Sequence, residues 1–206
     1  MQKREFTAKF ALFTFKAIGR KARNFETIIQ MKVSDAKITI RKADEKDANL
    51  ISILGGITFY EAYFEQDDAH DLTNYIAESF AVEKIRAEIA NPKAEFFIVF
   101  RNEKAVGYAK MRREEKHESV KSEKAVELQR IYVLERVYGT DVGKKLLEYC
   151  IETARKKDFD TIWLGVWEEN KRAQKFYKKY GFEQVGTLEF PYGKTVGINL
   201  VFTKEI

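Results

Sequence analysis

The sequence predicts a mixed α/β domain, and three observations predict it. Alternation of apolar and polar residues marks seven strands, and stripes at helical spacing mark segments between them. Residues 125–206 run strand, helix, strand, helix and then a strand pair, which implies a mixed sheet with helices on both faces. Hydrophobic residues are 45% of the chain and aromatics 14%, enough for a substantial core and against general disorder.

The regular pattern starts at Lys37. ITIRKA alternates as a half-buried strand does, and DEKDANLISILGGITFYEAYF follows as a helix, with Asp44 or Asp47 to cap it and Leu50, Ile51 and Leu54 on one stripe. The stretch EQDDAHDLTNYIAESF carries five acids and neither Lys nor Arg. AVEKIRAEIANP is a second helix, stopped near Pro92. AEFFIVF and AVGYAKMRRE form a hairpin about the turn-like RNEK. AVELQRIYVL is a strand, YGTDVGKKLLEYCIETARKK a loop and helix, DTIWLGVWEE a strand and NKRAQKFYKKYGF a helix. FEQVGTLEF and TVGINLVFTKEI complete an antiparallel pair.

Composition narrows the function. The one cysteine, Cys150, permits no intrachain disulfide and fits a reducing cytoplasm; beside Leu146, Leu147 and Ile151 it reads as a buried helix residue. With only His70 and His117 to join it, no protein metal site is expected. No apolar run of membrane-spanning length occurs. The net charge of +5 resides in residues 1–30, where seven basic side chains face two acidic ones; the remainder is balanced. A nucleic-acid partner is therefore not expected of the folded body. Residues 1–36 read as a basic extension and 37–206 as the domain.

Three features could carry chemistry. Ala173, Phe176, Tyr177 and Tyr180 form a helical stripe closed by Gly181, so on pattern alone Tyr177 is either core packing or a proton donor at a cleft. The loop VYGTDVGKKLL opens a helix, whose first N–H groups suit a phosphate, or are simply capped by Asp141. In VELQRIYV, Leu128 and Ile131 lie three apart and cannot share a face of a regular strand, so a β-bulge is expected near Gln129–Arg130.

In this order the segments resemble the GNAT superfamily of acyl-CoA-dependent N-acetyltransferases over residues 38–204. The pattern N-x-x-A-x-x-F-Y-x-x-x-G-F is met by Asn170, Ala173, Phe176, Tyr177, Gly181 and Phe182. TFYEAY, ELQRIYV and TIWLGVWEEN look like PaiA-type spermidine/spermine acetyltransferases. The resemblance implies a mostly antiparallel, twisted sheet of six to seven strands with a parallel central pair splayed into a cofactor cleft, flanked by about four helices. It implies acetyl-CoA as co-substrate and no metal. The acyl carbonyl and pantetheine would meet the backbone of Ile131, Tyr132 and Val133. The pyrophosphate would lie in Tyr138, Gly139, Thr140, Asp141, Val142, Gly143 and Lys144, and the pantetheine arm beside Asn170 and Ala173. Tyr177 would protonate the departing thiolate. The family's Gln or Arg and its middle glycine are replaced by Tyr138 and Asp141, and the carboxylate opposes a pyrophosphate.

Glu127 is the candidate base, directly or through water. The acceptor is read as a small-molecule primary amine, first a polyamine, which Tyr60, Glu61, Asp67 and Asp68 would attract. A protein amine, a small amine or a regulatory CoA-binding role are the alternatives. A homodimer is the candidate assembly.

Overall fold

The computed structural model describes residues 36–65, 68–113, 116–192 and 195–206. The basic extension up to residue 35, and Asp67, lie outside the described residues. Strand β1 (Ile38–Lys42) leads through a 3-10 turn, where Asp44 accepts from the Lys46 N–H and Asp47 accepts from both terminal nitrogens of Arg41, into α1 (Ala48–Tyr63). Ile51, Leu54 and Phe59 of α1 are buried, while Leu50 of the expected stripe is half-buried. At Gly55 an added Cβ would stand 2.4 Å from the Phe80 ring, so glycine permits that approach.

The acid-rich stretch, which carried no helix expectation, forms α2 (Ala69–Ser79). Asp68 caps it by accepting from His70 and Asp71 N–H, and Leu72 and Ser79 face inward on its buried side. Helix α3 (Val82–Ala90) buries Ile85 and ends ahead of Pro92. Strands β2 (Ala94–Arg101) and β3 (Lys104–Arg112) form the expected hairpin, its turn built on Asn102 and Glu103 at φ 48° and 64°. Then come β4 (Ala125–Val133), α4 (Val142–Lys156), β5 (Thr161–Trp167), α5 (Lys171–Lys179), β6 (Glu183–Tyr192) and β7 (Thr195–Glu205).

The seven strands run β1-β2-β3-β4-β5-β7-β6, antiparallel except for the central β4–β5 pair. Among the described residues five α-helices flank the sheet, one more than expected, the addition being α2. Lys110 of β3 and Arg130 of β4 are lateral partners and both reach Glu88 of α3, whereas Phe97 meets Tyr149 of α4. Adjacent strand residues point to opposite faces, so α3 and α4 cover opposite faces of the sheet. Phe96, Phe97, Ile98, Leu146, Leu147, Ile162 and Phe202 fill the core, each burial worth about 2 kcal/mol.

Candidate active site

Strands β4 and β5 pair only at Ala125↔Thr161, Val126↔Ile162 and Glu127↔Trp163. Beyond that point β4 stays with β3 as far as Gly107↔Val133, and β5 stays with β7 as far as Trp167↔Asn199. Two strands held by different neighbours have parted. The β3–β4 register jumps from Lys110↔Arg130 to Met111↔Leu128, leaving Gln129 as the extra residue of a bulge. Leu128 and Ile131 then sit opposite Met111 and Ala109 on one face, which resolves the phase irregularity.

A cavity of about 660 Å³ occupies the parting. Ile131, Tyr132 and Val133 line it from β4. Tyr138, Gly139, Thr140, Asp141, Gly143 and Lys144 line it from the loop and the start of α4; Val142 does not, being fully buried in the core. Gly139 adopts φ +73°, a conformation other L-residues adopt at a cost. Thr140 Oγ1 donates to Val137 O at 2.6 Å. Asp141 occupies the N-cap position but its side chain makes no cap hydrogen bond, so it does not compete for the first-turn N–H groups. The Arg172 guanidinium lies 3.6 Å over the Tyr138 ring, so the position that lacks the family's basic residue acquires a cation from α5.

Asn170 and Ala173 line the same cavity, the Asn170 carboxamide oxygen accepting from Ala173 N–H at 3.0 Å as the cap of α5. Gln174, not singled out from sequence, donates to Glu168 O at 2.6 Å and ties α5 to the end of β5. Tyr177 lines the cavity with 7% exposure, its ring edge-on to Phe176 and Phe182. Burial, then Tyr63 and Cys150, raises its pKa, so the phenol holds its proton. Tyr177 thus packs against Phe176 and Phe182 and also lines the cavity.

Other candidates lie elsewhere. Glu127 is buried at the point of parting, outside the cavity lining, and its carboxylate accepts from Arg112 Nε. Glu61 accepts from Glu135 N–H at 2.9 Å, and with Tyr60 borders a separate shallow groove on α1 and α2. Asp68 is spent on capping α2. None of Tyr60, Glu61 or Asp68 lines the cavity. What lines it on the α1–α2 side is aromatic: Phe59 stacks on Tyr75 at 4.7 Å, Tyr63 meets Trp167 at 5.4 Å, and Tyr75 meets Phe190 at 6.1 Å. Arg130 and Gln129 also line it. The sequence signal for these was thin, because rings from α1, α2, β5 and β6 converge only in three dimensions. Among the described residues no cluster of three or more His, Cys, Asp or Glu could hold a metal ion, and no helix is long and apolar enough to cross a membrane.

The central parallel pair, bulged on one side, is parted above the loop that opens α4. The model of the acetyltransferase (GNAT) family matches residues 57–182, and the chain belongs to that family. It is an acetyltransferase, with acetyl-CoA as its co-substrate. An uncharacterized N-acetyltransferase of Lactobacillus delbrueckii subsp. lactis is 25% identical over 156 residues, 76% of this chain and 90% of that protein. The spermine/spermidine N(1)-acetyltransferase of Bacillus subtilis is 34% identical, but over 64 residues only, 31% of this chain and 42% of that protein. Among solved structures, the PaiA N-acetyltransferase of Thermoplasma acidophilum, in complex with coenzyme A, superimposes with a TM-score of 0.69 at 21% identity, covering 82% of this chain and 99% of that one.

Proposed function

We propose that the protein transfers the acetyl group of acetyl-CoA directly to a primary amine, both bound at once in the cavity between β4 and β5. The observation that carries this is the shared lining: the α4 terminus, the unpaired edge of β4 and Tyr177 all face one space. The residues fit the co-substrate. First-turn N–H groups of α4 left free of the Asp141 side chain, with Lys144 and Arg172, suit a pyrophosphate. Among the described residues the edge of β4 beyond Glu127 has no strand partner on the β5 side, so its backbone is available to a pantetheine arm and to the acyl oxygen. Acetyl-CoA supplies an activated acyl carbon and a thiolate leaving group.

Tyr177 gives its phenolic proton to the departing sulfur and regains one from the proton released by the acceptor nitrogen. One carbon–nitrogen bond forms as one carbon–sulfur bond breaks. The nitrogen must arrive uncharged, because an alkylammonium, with a pKa of about 10, has no lone pair to attack with. Asp141, in the loop before α4, is the sole carboxylate among the described lining residues. With Glu127 engaged by Arg112, the ammonium proton passes to water, and Glu127 takes part only through such a water.

Tyr177→Phe tests the acid. The expected result is a fall in kcat of about 10²-fold, in the range of general acid catalysis, with acetyl-CoA affinity by calorimetry retained. Unchanged kcat removes Tyr177 from the reaction. A polyamine acceptor is supported by the local likeness to the Bacillus subtilis enzyme; the aromatic and cationic lining supports a different class.

A further inference from the structure

The acceptor end of the cavity has a charge pattern opposite to that of a polycation site. Among the described lining residues Arg130 is a cation beside the aromatic rings, lying 5.3 Å over the Phe80 ring, and Asp141 of the loop before α4 is the sole carboxylate. Glu88 accepts from Arg130 at 2.7 and 3.3 Å and pairs with Lys110 at 3.0 Å, so one carboxylate serves two cations. These side chains are largely buried, Lys110 at 6% exposure and Arg130 at 13%. The cluster carries one positive charge in excess, and burial together with Arg130 pulls the Lys110 pKa below its ordinary value. Two of the five guanidinium N–H groups serve Glu88, which leaves three. Beside Arg130, the bulge residue Gln129 buries its Oε1 with no hydrogen-bond partner among the described residues, although the residue lines the cavity.

Resting on the acetyl-transfer reading above, we propose that the acceptor is an aromatic α-amino acid. Its carboxylate is held by Arg130, its amine N–H by Gln129 Oε1, and its ring by Phe59, Tyr63, Tyr75 and Phe190. The match is chemical at each point. An excess buried cation attracts a carboxylate and repels an ammonium, and the repulsion grows in a partly dry site. A lone buried carbonyl oxygen is satisfied by an N–H donor. Rings in edge-on and offset contact accept another ring. Consecutive strand residues ordinarily face opposite sides, but the bulge brings Gln129 and Arg130 to one cavity. An α-amino acid likewise presents its amine and carboxylate from one carbon. The α-amine gains the acetyl carbon and loses one proton, and the sulfur leaves as the thiol.

The test uses the full chain with saturating acetyl-CoA. Turnover is compared among phenylalanine, tyrosine and tryptophan, the three amines made by removing their carboxylates, and spermidine. The expected result is a kcat/KM for at least one of the amino acids about tenfold or more above both its decarboxylated amine and spermidine. In Arg130→Met that ratio falls to near one while the calorimetric Kd for acetyl-CoA stays within about twofold. Should that variant fail to fold, Arg130→Lys keeps the charge and loses the fork, and a several-fold drop in the ratio is expected. Preference for spermidine, no turnover of any aromatic amino acid, or a ratio that survives both substitutions overturns the proposal. A wild-type chain that binds no acetyl-CoA overturns the acetyl-transfer reading itself, and with it this one; binding with spermidine turnover alone overturns this one only.

Discussion

Arg172 shows how one side chain can restore what a neighbouring position lacks. Tyr138 stands where the resembling family has Gln or Arg, yet its ring carries the Arg172 guanidinium at 3.6 Å. Arg172→Ala is expected to weaken acetyl-CoA binding about fivefold, roughly 1 kcal/mol, and Tyr138→Ala to weaken it in the same sense by releasing the arginine; calorimetry decides both. On the proposed reading Asp141 acts against them. It is exposed, contributes no cap hydrogen bond and lines the phosphate loop, so Asp141→Gly removes repulsion at little cost to α4. Binding about three- to tenfold tighter is expected, and unchanged or weaker binding sinks that account. On the proposed mechanism Tyr177 bears on the pH profile. Its raised pKa keeps it protonated past the ordinary phenol value of about 10, while the acceptor amine must lose a proton. Activity on a simple primary amine should therefore rise with pH up to the amine's own pKa, with no descending limb from Tyr177 below about pH 10. A descending limb centred near pH 8 that vanishes in Tyr177→Phe contradicts this.

At the scale of elements, the bulge in β4 and the glycine loop before α4 decide where functional groups point. The bulge is legible from Leu128 and Ile131, since two apolar residues three apart require an extra residue between them. Gly139 is legible as a turn glycine, but its φ of +73° is a property of the folded loop. Space around it is open, so Gly139→Ala is expected to cost about 1 kcal/mol through backbone strain alone, with a correspondingly lower urea midpoint. Gly55→Ala differs in kind. Its Cβ would lie 2.4 Å from the Phe80 ring, which also stands under Arg130, so about 1–3 kcal/mol of overpacking is expected together with reduced turnover. Helix α2 is the element that reading by composition missed. Five acids drew attention to charge, while Asp68 as cap and the stripe of Leu72, Tyr75, Ile76 and Ser79 hold an ordinary helix signature. The miss matters because Tyr75 of that helix lines the cavity.

On the scale of the whole molecule, the site is a defect placed in a continuous sheet. Seven strands remain joined at one end of the β4–β5 pair by three residue pairs and open at the other, so the sheet frames the cavity rigidly on both sides. Among the described residues, those lining the cavity fall between Phe59 and Asn199. A chain beginning at Lys37 should accordingly retain acetyl-CoA binding and turnover within about twofold, measured by calorimetry and steady-state kinetics. A large loss would assign residues 1–36 a part in the active domain.

The amino-acid order by itself determined the strands, the helix that carries Tyr177, the bulge and the loop ahead of α4. Each of these is written in residues a few positions apart, where periodicity and backbone sterics act. Only the tertiary structure decided that Glu127 is held by Arg112, that Tyr60, Glu61 and Asp68 do not line the cavity, and that Glu88 is shared between Lys110 and Arg130. Those outcomes depend on side chains far apart in sequence, 42 residues for Glu88 and Arg130, that meet because sheet register and helix packing bring them together. Charge counted along the chain cannot show which carboxylates a fold will neutralise internally and which it will offer to a ligand.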